Sequence, residues 1–135
     1  MDLGQAEGHA VIVAGIGCRR GVGADAVIAA LEQASTAHQV RVDFIATAPI
    51  KADEPGLLEA ATQLGMAFVV VAQVDFEAAS GRTLTQSAVS LNHAGSPSVS
   101  EASALAALGE NSKLIGPRMV IGDITVAFAT PGDKE

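Results

Sequence analysis

The residues with the clearest chemical potential form one short segment, Gly15-Ile16-Gly17-Cys18-Arg19-Arg20-Gly21, which follows an apolar run. Its glycines permit tight turns and let a ligand approach the backbone closely. A predicted helix begins near Val22, and the free N–H groups of a helix N-terminus attract negative charge. Arg19 and Arg20 add guanidinium groups that suit carboxylate or phosphate. We therefore predict an anion-binding site at this strand-to-helix junction.

The spacing of the glycines argues against a nucleotide as the anion. In the pattern G-x-G-x-x-G the second and third glycines are three positions apart, whereas Gly17 and Gly21 are four apart. The predicted second strand ends in Ala46-Thr47-Ala48, which supplies no acid for a ribose, and no Gly-Lys-Ser or Gly-Lys-Thr of a Walker loop occurs. We therefore expect neither a nucleotide nor another cofactor.

Cys18 is a candidate nucleophile, since two arginines and a nearby helix N-terminus favour a thiolate. The phosphatase arrangement does not apply, because the position six residues later is Ala24 instead of arginine. A small residue that fits a tight turn is the simpler interpretation of Cys18. The three histidines are scattered along the chain, and no Cys/His/Asp cluster has ligand spacing, so we expect no metal site.

Two more polar segments are predicted to lie at the same edge, because ligands of open α/β sheets bind beyond the carboxyl ends of the strands. In the loop after the second strand, Lys51 is a candidate anion ligand, whereas Asp53 and Glu54 could cap a helix or contact the ligand. Ser98 and Glu101 have the spacing of a capping box. Glu101 is also a candidate general acid or base.

A sheet and its helices must position these segments. Continuous apolar, β-branched runs predict buried strands, and apolar residues at helical spacing predict helices between them. Two successive strand–helix–strand steps indicate parallel strands, and Gly122-Asp123 between the last two runs indicates a hairpin. We predict a single domain over residues 1–135: an α/β protein, folded as a three-layer α/β/α sandwich with a mixed, mainly parallel sheet, with frayed ends at 1–9 and 131–135. The predicted strands are 10–16, 40–46, 67–72, 114–115 or 119–121, and 124–128; the predicted helices are 22–34, 55–64, 75–79 and one capped by Ser98 that ends at Leu108, with a long loop over 80–97.

Composition narrows the classes of partner. The 135 residues include no Trp and no Tyr, and the formal net charge is −7. Nucleic-acid binding depends on aromatic stacking and clustered cations, so we expect no nucleic-acid partner. A single cysteine fits a reducing compartment. No apolar stretch reaches the ~20 residues that span a membrane, and no signal-peptide pattern opens the chain. We expect a cytoplasmic protein that does not contact a membrane.

Four segments, taken in order, resemble the signature blocks of one family. They are residues 15–21, Lys51-Ala52-Asp53-Glu54-Pro55-Gly56-Leu57-Leu58, Ser98-Val99-Ser100-Glu101-Ala102 and Thr125-Val126-Ala127-Phe128-Ala129. The family is that of CobE and the C-terminal domain of CbiG in cobalamin (vitamin B12) biosynthesis, and the resemblance covers about Ala10 to Ala129. In CbiG proteins this domain follows others, and the whole protein is described as a cobalt-precorrin-5A hydrolase that opens a lactone and releases acetaldehyde. The present chain has only the one domain and so resembles the free-standing form; the hydrolase description belongs to the multidomain protein.

The resemblance implies a precorrin-type tetrapyrrole ligand from near the ring-contraction stage, whose acetate and propionate groups suit an anion site. Arg19, Arg20 and Lys51 would bind these carboxylates, and Ser98 and Glu101 would border the crevice. Three functions stay open: a carrier of a precorrin, a hydrolase of a precorrin lactone that uses Glu101 or Cys18, and an adaptor for other enzymes of the pathway. The predicted ligand-binding set is Gly15, Gly17, Cys18, Arg19, Arg20, Gly21, Lys51, Asp53, Glu54, Ser98 and Glu101.

Overall fold

A computed structural model describes residues 11–18, 21–49, 54–79, 99–109, 112–116 and 118–131. The strands in these ranges are β1 (Val13–Cys18), β2 (Phe44–Thr47), β3 (Ala67–Val70), β4 (Lys113–Leu114), β5 (Met119–Ile121) and β6 (Ile124–Thr130). The helices are α1 (Ala24–His38), α2 (Pro55–Leu64), α3 (Gln73–Ala79) and α4 (Val99–Leu108). None of these helices is long and apolar enough to cross a membrane.

The strands form one mixed sheet in the order β3-β2-β1-β6-β4, and β5 pairs with β6. β1 is parallel to β2, and β2 is parallel to β3. β6 is antiparallel to β1, β4 and β5. The predicted α/β class and mixed sheet are confirmed, and the parallel part is limited to β1, β2 and β3. The two-residue connection Gly122-Asp123 is too short for a parallel crossover, so β6 must return antiparallel to β5.

The two faces of the sheet are covered by different helices, as expected for three layers. Alternate residues along each strand point to opposite faces. On one face, large aliphatic and aromatic side chains of β1, β2 and β6 pack against α1 and α2. On the other face, smaller side chains such as Val13, Ala46 and Ala129 pack with residues of α3 and α4. The small residues on this second face bring α4 unusually close to the sheet.

β1 lies further along the chain than the predicted strand 10–16. Its antiparallel pairing with β6 continues through Gly15, Gly17 and Cys18, which lie opposite Ala127, Thr125 and Ile124 respectively. The glycines suggested an end to the strand, but the β6 ladder keeps this segment extended. Gly15, inside the predicted strand, and Gly17, beyond it, are therefore both strand residues.

The helix ends follow local backbone chemistry. α2 begins at Pro55 and ends before Gly65, whose φ of +70° is the left-handed conformation that favours glycine, as predicted. α1 continues four residues past the predicted Ala34 to His38, and its C-cap Gln39 has a φ of 57°. Leu57 of α2 is buried, whereas the adjacent Leu58 is exposed. The predicted loop 80–97 and most of the predicted frayed ends lie outside the described residues.

Candidate functional site

The N-termini of three helices lie near the carboxyl end of β1, those of α1 and α2 on one face of the sheet and that of α4 on the other. α1 begins six residues after β1 ends, and α2 packs its first turn on the backbone that precedes α1. A Cβ atom placed on Gly56 of α2 would overlap the carbonyl oxygen of Val22. α4 begins over Gly17, since a Cβ atom there would lie 3.7 Å from the amide nitrogen of Ser100. Helix N-termini carry partial positive charge, so the carboxyl end of β1, which these N-termini border, favours an anion.

Neither of the first two helices is capped by the side chain of its own N-cap residue. The N-cap of α1 is Gly23, which has no side chain, and the N-cap of α2 is Glu54, whose carboxylate makes no capping hydrogen bond. The first-turn amides of these helices are therefore not bonded by the side chains of their own N-cap residues. An acid stands at each helix start all the same, Asp25 in the first turn of α1 and Glu54 at the N-cap of α2.

Gly15 and Gly17 make room for α4. A Cβ atom on Gly15 would overlap the carbonyl oxygen of Ser100 and lie 2.7 Å from the amide nitrogen of Ala104. At Gly17 the nearest atom would be the Thr125 hydroxyl oxygen, at 2.7 Å. The space that the missing side chains leave is thus occupied by a helix and a neighbouring strand. On this face of β1, α4 is the element that lies close to the backbone of the two glycines.

Glu54 joins the loop after β1 to the start of α2. Its carboxylate accepts a hydrogen bond from the backbone amide of Gly21, with a distance of 2.9 Å between the nitrogen and Oε2. Gly21 is exposed and has a φ of +85°, whereas Glu54 is only 7% exposed. We predicted that Glu54 could cap a helix or contact the ligand, and its carboxylate does not cap α2. It contacts the glycine segment instead.

Glu101 lies in the first turn of α4 and is completely buried. Its Oε2 accepts a hydrogen bond of 2.8 Å from the backbone amide of Arg118. β4 and β5 pair with the same strand, β6, but their registers differ by two residues, so the edge is interrupted between Leu114 and Met119. Glu101 therefore satisfies a backbone amide in this interruption. That contact is structural, and sequence spacing gives no signal for a partner 17 residues away.

Cys18 is half-buried at the end of β1, and its side chain packs against the apolar cluster beneath α1 and α2. Glu101 belongs to α4, on the opposite face of the sheet. The two predicted reactive groups are therefore separated by the sheet. Within the described ranges, no group of three or more His, Cys, Asp or Glu side chains is arranged to hold a metal ion.

Two threonines that were not predicted as site residues fix the carboxyl ends of the strands. The hydroxyl of buried Thr47, at the end of β2, donates to the carbonyl oxygen of Ile16 at 3.0 Å. The hydroxyl of Thr125, in β6, donates to the carbonyl oxygen of Gly17 at 3.4 Å. The signal for Thr125 was its place in the fourth family-like segment. Both bonds hold the strand ends that border the junction.

The structure brings several predicted residues to this edge of the sheet and leaves others undescribed. Gly15, Gly17, Cys18, Gly21 and Glu54 lie on β1 or in the two loops that follow β1 and β2, and Glu101 lies in the first turn of α4. Arg19, Arg20, Lys51, Asp53 and Ser98 lie outside the described residues. In sequence, the two arginines stand between Cys18 and Gly21, and Lys51 stands three residues before Glu54.

Comparison with known proteins shows which family this chain resembles. Residues 12–129 match the family described as "Cobalamin synthesis G C-terminus". The chain is 30% identical to "Protein CobE" of a Sinorhizobium species over 123 residues, which cover 89% of this chain and 80% of that protein.

Solved structures agree with the sequence comparison. The crystal structure of cobalamin biosynthesis protein chiG from Agrobacterium tumefaciens is 55% identical, with a TM-score of 0.76 and coverage of 91% of this chain and 100% of that chain. The crystal structure of CobE, a protein from the cobalamin biosynthetic pathway, is 33% identical, with a TM-score of 0.83 and coverage of 93% and 94%. A cobalamin biosynthesis protein G homolog from Sulfolobus solfataricus, 22% identical and covered over 38% of its length, shares the fold with a TM-score of 0.63. The chain therefore belongs to the CobE/CbiG C-terminal family of cobalamin biosynthesis proteins.

Proposed function

We propose that this cobalamin biosynthesis protein binds a precorrin-type tetrapyrrole at the carboxyl end of β1 and carries it between enzymes of the pathway. The observation that supports this proposal most directly is that three helices begin near the carboxyl end of β1, two on one face of the sheet and one on the other. Precorrins carry a fringe of acetate and propionate groups. The backbone amides and dipoles of the helix N-termini near the end of β1 suit such a polyanion. They provide local attraction in a protein whose net charge of −7 would otherwise repel the ligand.

The cations of the proposed site come from the two loops at this edge. Arg19 and Arg20 adjoin Gly21 in sequence, and Lys51 belongs to the loop that leads to Glu54. Arginine binds a carboxylate through two parallel hydrogen bonds, whereas lysine acts as a compact point charge. We expect the two arginines to fix the orientation of the ligand and Lys51 to add attraction without strong orientation.

The face of the macrocycle requires an apolar surface, and β5 offers one beside the junction. Gly17, Thr125 and Val120 lie side by side across β1, β6 and β5. Met119 and Ile121 pack toward the α1 and α2 face, so Val120 between them points to the opposite face, where it is 64% exposed. Aliphatic walls with a few placed polar groups are typical of ligand sites.

The positions of the two predicted reactive groups favour a carrier over a hydrolase. Glu101 is fully buried and bonded to a backbone amide, so its carboxylate serves the edge of the sheet. Cys18 packs into an apolar cluster on the other face. A hydrolase that used Glu101 would need its carboxylate within reach of a water molecule and the substrate, and one that used Cys18 would need its sulfur within reach of the substrate.

Incubation with purified precorrins from near the ring-contraction stage tests the proposal. A carrier should bind one of them stoichiometrically and return it with an unchanged mass and absorbance spectrum. A changed mass would instead show a hydrolase. Absence of binding to every intermediate would support an adaptor and refute both ligand-based functions.

A double substitution tests the site itself. Arg19→Ala with Arg20→Ala should lower the affinity for the precorrin more than tenfold, since two bidentate contacts would be lost. We expect little change in the thermal midpoint, which would show that the loss lies in binding and not in folding. Arg41→Ala is the control: Arg41 is exposed and lies before β2, at the opposite edge of the sheet. Equal affinity in the double variant would remove the arginines from the site.

A further inference from the structure

The loop between β1 and α1 is attached to the rest of the protein through α2. One attachment is the hydrogen bond from the Gly21 amide to the Glu54 carboxylate, which joins residues 33 positions apart. The other is the close packing of Gly56 on the Val22 carbonyl. Around Gly21 and Gly23 themselves the space is open, since a Cβ atom on either would meet nothing within 4 Å. Among the described residues, Glu54 is therefore the side chain that bonds the backbone of Gly21.

The placement of Glu54 is unusual for an acid at the start of a helix. It occupies the N-cap of α2, where a side chain normally bonds the first-turn amides, yet its carboxylate is directed to a different loop. It is also largely withdrawn from water, which is unfavourable for a carboxylate unless hydrogen bonds compensate. Local stability of α2 does not account for this arrangement.

We propose that Glu54 is a positioning residue for the ligand site. Its carboxylate holds the Gly21 amide and so fixes the C-terminal end of the segment that carries Arg19 and Arg20. This inference rests on the proposed function, in which those arginines bind the carboxylates of the tetrapyrrole. It changes the role predicted for Glu54, because the residue acts through Gly21 and does not itself contact an anionic ligand, whose charge it would repel.

Three variants separate the hydrogen bond from the charge. Glu54→Ala removes both, Glu54→Gln keeps an acceptor without the charge, and Glu54→Asp keeps the charge on a side chain one methylene shorter. Glu59→Ala is the matched control, because Glu59 is an exposed acid on the same helix whose side chain bonds only that of Gln63 among the described contacts. Each variant is assayed for precorrin affinity, for exchange of the Gly21 amide by NMR without ligand, and for thermal midpoint.

Glu54→Ala and Glu54→Asp should bind the precorrin about tenfold more weakly and exchange the Gly21 amide at least tenfold faster. Glu54→Gln and Glu59→Ala should resemble the wild type in both measurements. Unchanged or tighter binding by Glu54→Ala would overturn the inference, since it would show that the ligand displaces the carboxylate. An equal loss of precorrin affinity in Glu54→Gln and Glu54→Ala would also overturn it, because it would show that the charge of Glu54, and not its hydrogen bond, supports binding. If the wild type binds no precorrin, the proposed function fails, whereas Gly21 exchange still decides whether Glu54 holds the loop.

Discussion

Substitution of Gly15 by alanine measures how closely α4 lies on β1. The added methyl group would overlap the carbonyl oxygen of Ser100 and lie 2.7 Å from the amide nitrogen and 2.9 Å from the Cβ atom of Ala104. Two of these three neighbours are backbone atoms of one helix, which cannot rotate away as a flexible side chain can. The helix itself must therefore shift outward, by roughly 1.5 Å if an ordinary contact of about 3.5 Å with the Ser100 carbonyl is to be restored.

Such a shift would weaken the packing of α4 on the whole second face of the sheet. Overpacking of a core costs about 1–3 kcal/mol, and the backbone contacts at Gly15 place this substitution at the upper end or above it. A loss of about 3 kcal/mol corresponds to a fall in Tm of roughly 10 °C for a domain of this size. It is a large part of a typical total stability of about 5–15 kcal/mol.

Two other glycines provide a graded comparison. In Gly17→Ala the nearest atom is the Thr125 hydroxyl oxygen, which can rotate, so we expect a loss of about 1–2 kcal/mol. Gly23 has a φ of −87° and open space around it, but it is the N-cap of α1, where alanine is less favourable than glycine, so Gly23→Ala should cost no more than about 1 kcal/mol. Urea unfolding followed by circular dichroism measures all three. A loss below about 1 kcal/mol for Gly15→Ala would refute the close contact between α4 and β1.

The remaining predictions concern buried polar and apolar groups. Thr47→Val, which deletes the hydroxyl that donates to the β1 carbonyl, should cost about 1 kcal/mol in urea unfolding, and Thr47→Ser should cost less. Glu101→Ala should lower the free energy of unfolding by about 1–3 kcal/mol because it leaves the Arg118 amide without this acceptor. Glu101→Gln keeps an acceptor and should lower it less. An equal loss in both variants would show that the hydrogen bond is not the cause. Phe128→Ala should cost about 3–5 kcal/mol because Phe128 is buried, whereas Val120→Ala, at an exposed site, should stay within about 0.5 kcal/mol; similar Tm values for the two variants would contradict the assigned burial.

The order of strands and helices could be predicted because it depends on local patterns. Apolar runs bounded by turn residues marked β2, β3 and β6, and the proline and glycine at the two ends of α2 marked its limits. The hairpin at Gly122-Asp123 was visible for the same reason, and Gly122 has the left-handed φ of +62° that such a turn uses. These features need only a few neighbouring residues to be read.

The extent of β1 and the partners of the buried acids could not be predicted, because both depend on distant segments. Gly15 and Gly17 stay in the strand because β6, more than 100 residues later, pairs with them. Glu54 and Glu101 bond backbone amides 33 and 17 residues away. The sequence around Glu54 is a local signal, and it predicted the start of α2 correctly. It did not predict that the Glu54 carboxylate bonds the amide of Gly21.

The glycine-rich junction divides into two parts with different surroundings, and this division limits how a ligand can approach. The first part, up to Cys18, is strand, and α4 covers the face on which Gly15 and Gly17 would project side chains. The second part begins at Gly21, where the backbone is exposed and held by Glu54. In the binding mode that we propose, a tetrapyrrole would therefore lie beyond the carboxyl end of β1, above the loops and beside Val120 of β5. There its carboxylates would meet the helix N-termini, while the closely packed glycines below keep those termini in place.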